Sequence, residues 1–125
     1  MSYTYDDQNI FAKILRGEIP NTTILETEHT LAFEDINPAA PTHVLVIPKG
    51  PYVTYDHFLA EASDAEIVDF HRSINEVAHR TQASEAAGGQ GFRAITNAGK
   101  NAHPDVPHFH FHILAGRPLG PILAT

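Results

Sequence analysis

Near the C-terminus three histidines alternate with apolar residues: Val106-Pro107-His108-Phe109-His110-Phe111-His112-Ile113-Leu114. Strict alternation with aromatic and β-branched residues predicts a strand. Successive side chains on a strand leave on opposite faces. Phe109, Phe111 and Ile113 then belong to the core, and His108, His110 and His112 line the other face. The chain must therefore build a sheet with one buried side and a pocket over its row of imidazoles.

Three roles are open to that row. A solvated face is one, but Thr, Lys or Glu would serve it as well. A metal site is the second, since imidazole is a common zinc ligand. Residues i and i+4 on a strand lie roughly 13 Å apart, so the outer two cannot share an ion. The chain also has no cysteine to complete a thiolate set. Catalysis is the third. Neutral imidazole is a nucleophile near neutral pH, and charged imidazole is a donor and an acid. A central histidine flanked by two others supplies a nucleophile, an orienting group and a phosphate clamp.

A chain of 125 residues is expected to form one domain, here 1–125 with its core over about 9–121. The lack of cysteine excludes disulfides and a thiol nucleophile and fits a reducing compartment. The start, Met1-Ser2-Tyr3-Thr4-Tyr5-Asp6-Asp7, has neither a basic region nor an apolar run, so no signal peptide or membrane span is expected, and the location expected is cytoplasmic. A net charge of −7 argues against general nucleic-acid binding. It leaves room for one nucleotide held by local donors.

The expected architecture is α+β: about five mostly antiparallel strands with one long and one short helix. Asp6 or Asp7 caps the short helix, Ile10, Phe11, Ile14 and Leu15 form its apolar face, and Gly17 ends it. A hairpin follows over 23–27 and 30–35, turning at Glu28-His29. Val44–Ile47 is a continuous apolar run and reads as a central strand. Residues 52–62 read as a loop, with Asp56 and His57 on the surface. Ser63-Asp64-Ala65-Glu66 is a capping box that opens the long helix, expected to reach about Ala83. His71 and His79 are expected in solvent. Gly88-Gly89-Gln90-Gly91 lacks the lysine of a phosphate loop and reads as a connection, followed by a strand over 92–96.

The pattern His108-Phe109-His110-Phe111-His112-Ile113-Leu114 resembles the signature of the histidine triad (HIT) family of nucleotide hydrolases and transferases. The segment Phe33-Glu34-Asp35-Ile36-Asn37-Pro38-Ala39-Ala40-Pro41-Thr42-His43, running on to Pro48-Lys49, is similar to the second block of the family's Hint branch. Ile10-Phe11 through Glu18-Ile19-Pro20 is similar to its opening block. The resemblance runs from about Asn9 to Pro121 and implies a HIT-like fold, as a homodimer whose sheet continues across the interface.

It also implies an activity: hydrolysis of purine nucleoside 5'-phosphoramidates, adenosine-preferring, through a covalent nucleotidyl-histidine and without metal or cofactor. His110 matches the nucleophile. His108 and His43 match the supporting histidines, and His112 the donor to the phosphate oxygens. Asp35 matches the acceptor of the ribose hydroxyls. Phe11, Ile14, Ile19 and Leu45 match residues around the base, and Asn97 a polar residue near the phosphate. Dinucleoside polyphosphate hydrolysis and a binding or interaction module with weak activity are the alternatives.

One loop departs from the pattern. The family usually carries Gly-Gln-Ser before the triad, and this chain has His103-Pro104-Asp105. His103 adds a donor or is simply exposed. A carboxylate about 4 Å from a phosphate charge costs about 4 kcal/mol at an effective dielectric near 20. Asp105 therefore points away, is protonated, or contacts a cationic leaving group.

Overall fold

The run Val44–Ile47 does not alternate because it is covered on both sides. It lies in β3 (Thr42–Pro48), the middle strand of a five-stranded sheet. The computed structural model describes residues 3–123. The other strands are β1 (Thr23–Glu26), β2 (Thr30–Glu34), β4 (Phe92–Ile95) and β5 (Phe111–Ala115). Their order is β1-β2-β3-β5-β4, and each described pairing is antiparallel. The expected α+β architecture is the one observed.

One face of the sheet carries α3 (Asp64–Arg80) and α2 (Tyr55–Glu61). Val44 and Val46 of β3 join Phe58, Phe70, Val77, Phe109 and Ile113 in that core. Phe58 and Phe70 are fully buried, each contributing roughly 1.5–3 kcal/mol from burial. The other face carries α1 (Ile10–Leu15), where Phe11 and Ile14 pack on Leu31, Phe33, Leu45 and Ile47. This second, smaller core leaves part of the face open, and there the histidines emerge.

Local signals explain most of the elements. Ser63 and Glu66 form the reciprocal capping box, so α3 starts where the sequence says. It stops at Arg80, with Gln82 in a left-handed conformation just beyond. Gly17, at φ +78°, ends the turn after α1. Thr27 and Thr30 at the tip of the β1–β2 hairpin both donate hydroxyls to Asp69 of α3, at 2.6 and 2.8 Å.

Four expectations are corrected. Residues 52–62 are not a loop: Thr54 caps α2, a second short helix. His57 is buried rather than on the surface, because its Nδ1 accepts the Val53 N–H at 2.9 Å and Tyr3 stacks over its ring. Helix α1 is capped by Asn9, not by Asp6 or Asp7. Asn9 Oδ1 accepts the Ala12 N–H at 3.0 Å, whereas Asp6 Oδ1 accepts the N–H of Gln8 in the preceding turn. His71 is not free in solvent: its Nδ1–H reaches the Ile67 carbonyl at 2.7 Å, and its Nε2 faces the Tyr55 hydroxyl at 3.0 Å.

The histidine strand is also shorter than its alternation suggests. The β3–β5 ladder runs only to the Val46–Phe111 pair, and the β4–β5 ladder to Ile95–His112. Pro48 has no N–H to extend the ladder. The Phe109 N–H instead goes to the Tyr52 carbonyl at 2.7 Å. Residues 108–110 keep their alternation but are held by single anchors rather than by a sheet.

Candidate active site

Each of the three histidines meets a different environment. Phe109 and Ile113 fill the α2–α3 core, which directs His110 and His112 to the α1 face. His108 is fully buried beneath that face. Its Nε2 lies 2.9 Å from the Pro48 carbonyl, which can only accept, so the ring proton is on Nε2. The Tyr5 hydroxyl donates to Nδ1 at 2.6 Å. Burial drives the pKa of His108 down to about 4, with the charge of His110 adding to the effect and the Pro48 carbonyl opposing it. His108 is therefore neutral at pH 7.

His110 is oriented in the same manner. Its Nδ1 lies 2.7 Å from the His108 carbonyl and must donate to it. The Thr96 hydroxyl holds the carbonyl of His110 at 2.7 Å. The proton is thus fixed on Nδ1, and Nε2 keeps its lone pair. Phe11 stands edge-on to the ring, 5.0 Å between centroids.

The tautomer of His112 is set from the backbone through His43. The Ala39 N–H donates to His43 Nδ1 at 3.0 Å, so the proton of neutral His43 is on Nε2. That proton is donated to His112 Nδ1 at 2.9 Å. His112 must then carry its own proton on Nε2. Burial, reinforced by charge on His110 and His43, lowers the pKa of His112 to about 4. Burial also lowers that of His43, while Asp35 opposes the shift.

The Asp35 Oδ1 accepts the Asn37 N–H at 2.8 Å, an Asx turn that the intervening Pro38–Pro41 loop continues. Its Oδ2 lies 3.5 Å from His43 Nε2. Ligand atoms of Asp35, His43 and His112 all fall within 4.8 Å of one another, close enough for a metal. The hydrogen bonding opposes it. A metal on His43 Nε2 would send the ring proton to Nδ1, straight against the Ala39 N–H.

A cavity of about 220 Å³ lies between α1 and the sheet. Its apolar wall is Ile10, Phe11, Ile14, Ile19, Phe33 and Leu45. Its polar end is Asp35, Asn37, His110, His112 and Asp105. Of the residues expected from sequence, the fold brings Phe11, Ile14, Ile19, Leu45, Asp35, Asp105, His110 and His112 to one cavity. His43 stands behind His112, and His108 beneath His110. Asn97 is half-buried beyond the end of β4 and does not line the cavity. His103 is exposed, in a left-handed conformation at φ 54°, and also lies outside it.

Asp105 does not point away. Its Oδ1 lies 3.7 Å from His110 Nε2, with its side chain 75% exposed. Sequence reasoning missed Tyr5, Ala39, Pro48 and Thr96. All four act through single backbone or hydroxyl groups, which leave no mark in a sequence pattern.

Comparison with known proteins gives this arrangement a family. The HIT domain family matches residues 16–119. The chain belongs to the HIT family. A HIT-like protein of 13.2 kDa from Azospirillum brasilense, described as uncharacterized, is 54% identical over 98% of both chains. The purine nucleoside phosphoramidase of Escherichia coli K12 is 39% identical over 94% of this chain and 95% of its own. The solved HIT family hydrolase from Clostridium thermocellum is 38% identical and superposes with a TM-score of 0.79, covering 94% of this chain and 99% of that one. Relatives in the HIT family support a nucleotide hydrolase activity.

Proposed function

We propose that the protein hydrolyses purine nucleoside 5'-phosphoramidates and related nucleotidyl conjugates, preferring adenosine, through a covalent intermediate on His110. One observation carries this reading: the 2.7 Å bond from His110 Nδ1 to the His108 carbonyl leaves the Nε2 lone pair free at the polar end of the cavity. The activity of the Escherichia coli relative supports it.

In this reading the base lies against Phe11, Ile14, Ile19 and Leu45, and Asp35 accepts the ribose hydroxyls. His110 Nε2 attacks the α-phosphorus, the P–N bond to the leaving amine breaks, and the amine departs with a proton taken up from solvent. His112 donates its Nε2–H to the phosphate oxygens as their charge grows. Water then attacks the same phosphorus and gives up a proton to solvent, the bond to His110 breaks, and the lone pair returns to Nε2. The products are a nucleoside monophosphate and a free amine, with one water consumed. Two easier steps replace one difficult step.

Asp105 gives the leaving group a chemistry. A carboxylate beside the nucleophile repels a second negative charge and attracts a positive one. Conjugates that release a cationic aminoalkyl group, lysyl among them, are therefore preferred over neutral amines. The working enzyme is a cytoplasmic homodimer with its sheet continued across the interface.

The test is turnover of adenosine phosphoramidates bearing lysyl and neutral amines, by wild type and Asp105→Ser. The reading predicts hydrolysis of both, with a lysyl preference that the substitution reduces. Equal effects of the substitution on both substrates would remove the role of Asp105. Absence of hydrolysis of either by wild type would remove the phosphoramidase reading itself.

A further inference from the structure

Before α1 residues 3–9 form a strap along the protein, docked at both ends. Tyr3 stacks on His57 with 4.2 Å between ring centroids and donates its hydroxyl to Asp56 at 2.6 Å. At the other end Asn9 is buried and caps α1. Between them Tyr5 turns inward, and its hydroxyl meets His108 Nδ1 at 2.6 Å, 103 residues away in the chain.

That contact falls where the sheet gives no support. Residues 108–110 lie outside both ladders of β5. The peptide of His108 matters nonetheless, because its carbonyl orients His110 at 2.7 Å. What holds His108 is its own ring, gripped on one nitrogen by the Pro48 carbonyl at 2.9 Å and on the other by Tyr5. Both partners are needed. With Pro48 alone the ring could pivot about one bond, leaving a buried nitrogen without a partner.

We propose that Tyr5 is a positioning residue for the reaction. Its hydroxyl locks the ring of His108, and the locked His108 presents the carbonyl that aims His110. Tyr5 then serves the reaction although it touches no substrate.

The experiment compares Tyr5→Phe with Tyr3→Phe, using adenosine phosphoramidate as substrate and ¹⁵N-labelled histidine for NMR. Tyr5→Phe removes one hydroxyl and keeps the ring. The expected result is a fall in kcat of about tenfold, typical of a lost supporting hydrogen bond, with KM unchanged. The His108 Nδ1 resonance shifts, and the His110 Nδ1–H exchanges faster with solvent. Tyr3→Phe, which loosens the strap's docking on Asp56, keeps wild-type kcat. Full kcat in folded Tyr5→Phe would overturn the proposal, as would an equal fall in both variants, which would mean that only docking matters. The kinetic arm rests on the phosphoramidase reading, and the NMR arm does not. If wild type leaves adenosine phosphoramidate intact, that reading fails while the resonances still decide the role of Tyr5. Should Tyr5→Phe fail to fold, the wild-type spectrum decides: His108 must carry its proton on Nε2 and accept on Nδ1, and the opposite tautomer overturns the proposal.

Discussion

His43 donates from Nε2 to Nδ1 of His112 across 2.9 Å, while the Ala39 N–H fills its other nitrogen at 3.0 Å. A main-chain amide thereby decides, two rings away, which nitrogen of His112 carries a proton. Removing the relay should cost less than removing the donor. His112→Ala is expected to lower kcat by about 10²–10³, the loss of a charge-stabilising donor. His43→Ala is expected to lower it by roughly 10–100-fold, the loss of a supporting bond. Steady-state kinetics on both variants check this order. A larger loss in His43→Ala would contradict it.

The same relay bears on metal. Because His43 holds its proton on Nε2, turnover is expected to be unchanged by prolonged chelator treatment. Calorimetric titration with zinc should show no tight binding that depends on Asp35, His43 and His112. Loss of activity on chelation, restored by one equivalent of zinc, would show that the metal overrides the Ala39 hydrogen bond.

Stability should fall with acid before carboxylates titrate. Burial holds His108 near pKa 4, whereas an exposed histidine in the unfolded chain titrates near 6.5. Between those values the unfolded state binds the extra proton, so folding weakens as pH falls. The contribution is complete above about pH 6.5 and declines by about 2 kcal/mol by pH 5 from His108 alone. His112, also near 4 but partly exposed, acts in the same direction. Urea unfolding at a series of pH values measures this, and a flat profile between pH 7 and 5 would contradict it.

Gly116 abuts the loop that carries Asp35 and leads into His43 of β3. It sits at φ +100°, and an added Cβ would come within 2.7 Å of Pro41 Cβ. Gly116→Ala is therefore expected to destabilise the fold by roughly 1–3 kcal/mol, the cost of a strained backbone position. It should also raise KM by moving the 35–43 loop. Unfolding and kinetics together test this, and wild-type values in both would show that the loop absorbs the strain.

Legibility followed the range of the interaction. The faces of Phe109, His110, Phe111, His112 and Ile113 were readable because alternation is a property of neighbours. The capping box at Ser63 was readable for the same reason. Asp35 and His43 were readable through the resemblance of their loop, and the register of β3 on β5 then brought them to His112. Helix α2 was not readable, since its one fully buried apolar residue, Phe58, and its cap, Thr54, make no periodic signal. The burial of His57 depends on Tyr3, 54 positions earlier, and the orientation of His108 on Tyr5. The chain tightens into a single helical turn at Lys100–Ala102 and enters a left-handed residue at His103, which directs His103 outward. Composition does not announce such a turn.

The most direct measurement is rapid-quench mass spectrometry during turnover of adenosine phosphoramidate, for wild type and His110→Ala. A transient adenylyl group is expected on the wild-type peptide that contains His110. Neither adduct nor turnover is expected in a folded His110→Ala variant. Turnover that persists in His110→Ala, or an adduct on another histidine, would contradict it.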